Sequence, residues 1–159
     1  MSDLSPKRAA ESATEMVQVV LPNDANPLGF ILGGTVMHLI DIAGAIACHR
    51  HTRTLLVTAA VDDLQFLCPI KVGDMIILKS RVTCVFKTSL EVEVEVFSET
   101  IQTGERKLTS KAYLTFVSLD KNGKPTEVPP LIVDTPEDEQ RCRDAHVRRD
   151  ERLKRKAGA

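Results

Sequence analysis

The chain lacks a marked excess of either charge. Its 21 Lys and Arg stand against 22 Asp and Glu, a formal net charge of −1. That balance gives no basis for a nucleic-acid partner, which needs a basic surface. No apolar run approaches the ~20 residues that cross a bilayer. The polar opening Met1-Ser-Asp-Leu-Ser-Pro-Lys-Arg8 has no apolar segment behind it, so no signal peptide is expected. Cysteine is sparse and scattered. Cys48, Cys68, Cys84 and Cys142 form no C-x-x-C pair, and their spacing fits neither a zinc site nor a disulfide framework. They are expected to be reduced thiols in a cytoplasmic protein, with Cys48 and Cys84 in the core. None has a local base to make it a nucleophile. His49 and His51 form an H-x-H with no further ligand near in sequence. No G-x-S-x-G elbow, Walker loop or dinucleotide fingerprint occurs. No metal and no organic cofactor are implied.

A length of 159 residues suits one domain with a proper core. The expected organisation is a flexible N-terminus over 1–13, a single domain over 14–130 and a largely helical extension over 131–159. Met16 to Leu21 reads as a first strand, and Pro22 to Pro27 is dense in turn residues. Leu55 to Phe66 is rich in β-branched residues. Ile76 to Phe86, Leu90 to Val96 and Lys107 to Leu119 alternate at period two, with turns at Lys87-Thr-Ser89 and Gln102-Thr-Gly-Glu105. Long strands joined by short turns imply an antiparallel meander. Half-polar strands bury one face, and the one apolar helix, from about Gly33 to Cys48, is the partner for it. The expected fold class is therefore α+β: one curved antiparallel sheet around one long central helix. The last segment, 136–156, opens with acidic residues and ends with basic ones. That order complements a helix dipole and predicts a solvated, charged C-terminal helix.

The most informative stretch runs from Asn26 to Ala47: a polar loop, a double glycine, then an almost wholly apolar helix carrying one carboxylate, Asp41. A helix apolar all round is normally buried. A buried, unpaired carboxylate is costly, so Asp41 is either paired or present for chemistry, as general base on a water or as nucleophile. Gly33 and Gly34 fall at the helix start, where free N–H groups can polarise a carbonyl or hold an anion. They could instead serve tight helix–sheet packing. Asn26 precedes Pro27 and could orient water or substrate, or initiate an Asx turn. His38 shares a helix face with Asp41, which would allow a His–Asp dyad, but it reads better as a packing or interface residue. These parts together suggest acyl transfer or hydrolysis.

The ordered set Asp24-Ala-Asn-Pro-Leu-Gly29, Gly33-Gly34-Thr35, Asp41-Ile-Ala-Gly-Ala-Ile46, Phe66-Leu-Cys-Pro-Ile-Lys-Val-Gly-Asp74, Ser98 to Gly104, Lys107 to Ala112 and Val128-Pro-Pro130 resembles the hot-dog fold acyl-CoA thioesterases. Bacterial acyl-CoA hydrolases and cytosolic long-chain acyl-CoA hydrolases are the members it looks most like, over residues 15 to 150. The resemblance implies hydrolysis of acyl-CoA to CoA and a carboxylic acid. It implies a homodimer with shared sites, assembled into a trimer of dimers, with Asn26 and Asp41 supplied by different subunits and Gly33 and Gly34 at the polarising helix start. CoA would lie between subunits. Lys87, Thr88 and Ser89, or Arg106, Lys107 and Lys111, are the expected phosphate contacts. A non-catalytic acyl-CoA or nucleotide sensor, or an enoyl-CoA hydratase or dehydratase, would use the same fold. Leu64, Phe66 and Leu67 are weak candidates for gating the acyl chain.

Overall fold

Period-two alternation puts one face of each long strand toward a common core. The computed structural model describes residues 3–158. Its elements are β1 (Thr14–Val19), α1 (Gly33–Thr52), β2 (Leu55–Phe66), β3 (Met75–Val85), β4 (Ser89–Glu99), β5 (Arg106–Leu119) and α2 (Pro136–Ala157). The strands form one sheet in the order β1-β3-β4-β5-β2. Every neighbouring pair is antiparallel. One sheet face packs on α1, whose Val36, Leu39, Ile40, Ala43 and Ala47 meet Leu78, Val92, Val94, Leu114 and Phe116. This is the expected hot-dog arrangement.

Gly44 sets how closely helix and sheet approach. A Cβ there would lie 3.1 Å from Val92 and 3.4 Å from Phe116. α1 runs one turn further than expected and closes at Arg53, in the left-handed region at φ 55°, with its N–H on the His49 carbonyl at 2.8 Å.

Three expectations are corrected. First, Cys84 and Cys142 are joined in a disulfide, so they are not free thiols. Their separation of 58 residues hid the pairing, because only docking of α2 on β3 brings them together. Cys48 is free and buried, and burial pushes its thiol up. Second, α2 is solvated over most of its surface, as expected, but one side docks on the outer sheet face: its Arg148 binds Glu91 at 2.8 Å, its Arg152 binds Asp62 at 2.7 Å, and its Asp138 receives Arg81 of β3 at 2.7 Å. Glu91 of β4 is therefore buried beneath α2. Third, residues 7–12 of the N-terminal segment expected to be flexible are held against the domain. Lys7 donates its N–H to Pro130 and accepts from Ile132, and Ala9 and Ser12 are buried. Among the described residues no helix is long and apolar enough to cross a membrane.

Candidate active site

The loop before α1 folds back on itself. Leu32 donates to the Asp24 carbonyl at 2.8 Å, and Asn26 donates its backbone N–H to Phe30 at 2.8 Å. Asn26 Oδ1 accepts from the backbone N–H of Leu28 at 3.0 Å and of Phe30 at 3.1 Å. Asn26 thus makes the Asx-type turn that its sequence context allows. Its Nδ2 donates to no acceptor among the described residues, so the side-chain amide keeps N–H groups for an external partner.

The same loop delivers the chain to the helix start. Leu32 is extended and offers no side-chain cap, and the first helical bond is from Val36 N–H to the Leu32 carbonyl at 3.1 Å. The N–H groups of Gly33, Gly34 and Thr35 have no intrahelical partner, as geometry requires of a first turn. Both glycines are exposed. A Cβ on Gly33 would make only ordinary contact with the Phe66 ring at 3.5 Å, and one on Gly34 would meet nothing within 4 Å. Packing within the chain does not demand these glycines. Their effect is an uncovered backbone at the positive end of a 20-residue helix. Beside it lies an apolar cleft of about 270 Å³ lined by Ile31, Val36, Phe66, Leu67 and Ile70. Phe66 and Leu67 line this cleft, whereas Leu64 packs against the core.

Asp41 lies two turns along α1. It is half-buried rather than buried in the single chain, and it is paired: the Thr58 hydroxyl donates to Asp41 Oδ1 at 2.7 Å. Thr58 is a candidate site residue that the sequence reading missed. It sits on β2, at the edge of the sheet, immediately before a register shift between Thr58 and Ala60. Bulges re-aim side chains beside sites, but nothing in the sequence between Val57 and Ala59 marks this threonine as facing Asp41.

Asp41 shares an exposed helix stripe with Gly34, Met37 and His38. β2 adds exposed Val61, which lies opposite core-facing Leu114 and so on the α1 side of the sheet. The apolar character that suggested an enclosed helix is thus spent partly on a face that this chain leaves uncovered. At ~1.5 Å rise per residue, Gly33 and Gly34 lie roughly 10–12 Å along the axis from Asp41. One reacting carbonyl cannot meet both groups of the same chain.

The expected CoA contacts divide between opposite ends of the sheet. Lys87, Thr88 and Ser89 form the β3–β4 turn, and Arg106 and Lys107 open β5 beside Glu99 and Ser98. At ~3.4 Å per residue along β4 the two groups are over 30 Å apart. Arg106 pairs with Glu99 at 2.8 Å. Lys111 lies on the outer face, paired with Glu93 at 3.5 Å, away from α1. Lys87 and Lys107 are exposed and form no ion pair among the described residues. His49 and His51 do not converge: the His49 ring meets the Thr54 carbonyl at 3.0 Å, while His51 is buried with Nε2 on the Pro129 carbonyl at 2.7 Å.

Comparison with known proteins identifies the family. The thioesterase superfamily model matches residues 28–105. The chain is 41% identical over 146 residues to the uncharacterized acyl-CoA thioester hydrolase YkhA of Bacillus subtilis, covering 92% of this chain and 85% of YkhA. It superposes on an apo-hexameric acyl-CoA thioesterase with a TM-score of 0.91 at 38% identity, covering 96% and 98% of the two chains. The acyl-CoA hydrolase of Staphylococcus aureus, solved with butyryl coenzyme A and coenzyme A, gives a TM-score of 0.88 at 32% identity, covering 96% and 93%. Solved variants of that enzyme replace an Asn, an Asp and a Thr by Ala. Those positions are spaced 15 and 17 residues apart, the intervals that separate Asn26, Asp41 and Thr58 here. The chain belongs to the acyl-CoA thioester hydrolases of the thioesterase superfamily.

Proposed function

We propose that this chain hydrolyses acyl-CoA thioesters at a site completed by a second copy. Asn26 and the helix-start N–H groups of one subunit meet Asp41 and Thr58 of the other. The observation that carries this reading is the hydroxyl-paired Asp41 on an uncovered face, too far along α1 from its own chain's free N–H groups. Pairing through that face covers its apolar residues and satisfies the exposed β2 edge. A trimer of such dimers accords with the hexameric relative.

In this mechanism Thr58 holds Oδ1 of Asp41, leaving Oδ2 to accept a proton from water. The water attacks the thioester carbonyl while backbone N–H donors at Gly33 or Gly34 bind the developing oxyanion. Asn26 Nδ2 orients the water or the substrate. Collapse of the tetrahedral species expels the CoA thiolate, and the acyl chain occupies the cleft at Phe66 and Leu67. The CoA phosphates fall to Lys87 or Lys107, the two expected cations left unpaired. The side chains present suffice for each step, so no cofactor is invoked. The proposed setting is the cytoplasm.

Asp41→Asn should lower kcat by ~10²–10⁴-fold, the range for a general base, and Asn26→Ala by about 10²-fold. Both should leave the circular dichroism spectrum unchanged. Thiol release from a series of acyl-CoA esters measures this, and near-full turnover by Asp41→Asn would refute the assignment.

A further inference from the structure

Away from the proposed site, the end of β3 and the sheet-facing side of α2 bring together three metal-binding side chains. Cys84 comes from the strand. Cys142 and His146 stand one turn apart on the helix, the spacing that puts two donors on one face. The Sγ atoms and an imidazole nitrogen all lie within 4.8 Å of one another. The His146 ring packs edge-on against Phe86, with centroids 5.1 Å apart, which restricts its orientation. Burial is graded: Cys84 is buried, Cys142 half-buried and His146 exposed, so the cluster has an entry path from solvent. Arg149 lies over the same Phe86 ring at 4.7 Å.

We propose that Cys84, Cys142 and His146 form a redox-gated site for a borderline-soft divalent cation of the Zn²⁺ class. In the oxidised chain the disulfide closes the site. In the reduced chain the ion takes the place of the disulfide as the clasp between β3 and α2, with water as fourth ligand. Two thiolates and one imidazole are the donor set that selects such ions. Metal–sulfur bonds of ~2.3 Å and metal–nitrogen bonds of ~2.1 Å place tetrahedral donors about 3.5–3.8 Å apart. That spacing falls inside the limit the three atoms already meet. Reduction by a dithiol passes two electrons into the S–S bond and two protons to the sulfurs, and the dithiol becomes a disulfide. Metal entry then forms two sulfur bonds and one nitrogen bond and releases both thiol protons. A reducing compartment keeps a protein disulfide transient, so the reduced state is the one that needs another clasp.

Cobalt(II) serves as the probe. The full chain is reduced with a water-soluble phosphine, desalted under nitrogen and titrated with Co²⁺. One equivalent per chain should give tetrahedral d–d absorption with a sulfur-to-cobalt charge-transfer band, both bleached by Zn²⁺. The oxidised chain should give neither. His146 is exposed, so His146→Ala should fold and still form the disulfide, as intact mass will register. Loss of an outer-shell partner alone costs about 10–100-fold in affinity, so removing this ligand should weaken Co²⁺ by at least about 100-fold. Cys142→Ser should lose the charge-transfer band. A reduced chain without a thiolate–cobalt band overturns the proposal, and so does His146→Ala binding Co²⁺ as tightly as the parent. Thioester turnover plays no part in the readout, so the result stands apart from the assignment of the hydrolytic site.

Discussion

Arg148→Met isolates what holds α2 on the sheet. Arg148 Nε and Nη2 each bond a different oxygen of Glu91, at 2.9 and 2.8 Å, and Thr83 Oγ1 donates to the same carboxylate at 2.6 Å. The guanidinium also stacks on Tyr113, 3.5 Å from the ring centroid. Glu91 is 1% exposed. Methionine keeps an aliphatic stem over Tyr113 while removing the charge and both forked bonds. The carboxylate is left buried with one hydroxyl donor. Removing one partner of a buried pair costs about 3–5 kcal/mol. The later turns of α2 can lift from the sheet while Cys142 stays tethered, which lets water reach Glu91 and caps the loss at the docking energy of those turns. Urea unfolding at fixed protomer concentration measures the total, and hydrogen exchange along α2 separates lifting from global loss. Arg148→Met with Glu91→Gln should recover most of the deficit, because both charges are then gone. A single-mutant loss below about 1 kcal/mol, the value of a solvated pair, with unchanged exchange in α2, would refute the reasoning.

Thr58→Val keeps the shape of the side chain and removes the donor to Asp41. It should lower kcat by about tenfold or more, the scale of a net hydrogen bond of ~1.5 kcal/mol to a charged group. KM should be nearly unchanged, and steady-state kinetics on one acyl-CoA ester decides this. Stability should also fall on mild acidification. Burial lowers the His51 imidazole below its ordinary value of 6.5, against the opposing pull of its bond to Pro129. His51 Nδ1 is buried without a partner, so a second ring proton has no acceptor. The unfolded chain therefore binds the proton first. Stability is lost as pH falls through 6.5 and levels off below the folded-state value. His51→Gln, which keeps a donor for Pro129, should flatten the thermal midpoint between pH 7 and 5. An unchanged slope would remove His51 from the explanation.

The strands were legible because period two is a local property: Leu90 to Val96 announces β4, and Lys107 to Leu119 announces β5. The loop–glycine–helix order from Asn26 to Asp41 was legible for the same reason. What stayed hidden depends on pairs distant in sequence. Thr58 meets Asp41 only once β2 lies beside α1. Cys84 meets Cys142 only once α2 docks. The basic run from Arg148 to Lys156 reads as wholly solvated until Glu91 and Asp62, on strands dozens of residues earlier, are seen to receive Arg148, Arg152 and Arg155. Lys111 looked available by charge alone, but strand alternation turns it to the outer face with Glu93.

Subunit mixing tests the shared site most directly. Asn26→Ala and Asp41→Asn proteins, each nearly inactive alone, are combined in equal amounts, exchanged under mild denaturant and assayed for thiol release. With two composite sites per symmetric dimer, a mixed dimer carries one site with both lesions and one with neither, so random exchange should restore about a quarter of the parental activity. If Asn26 and Asp41 act within one chain, every site keeps a lesion. Exchanged mixtures that recover nothing, or a fully active monomer by light scattering, would contradict the shared site.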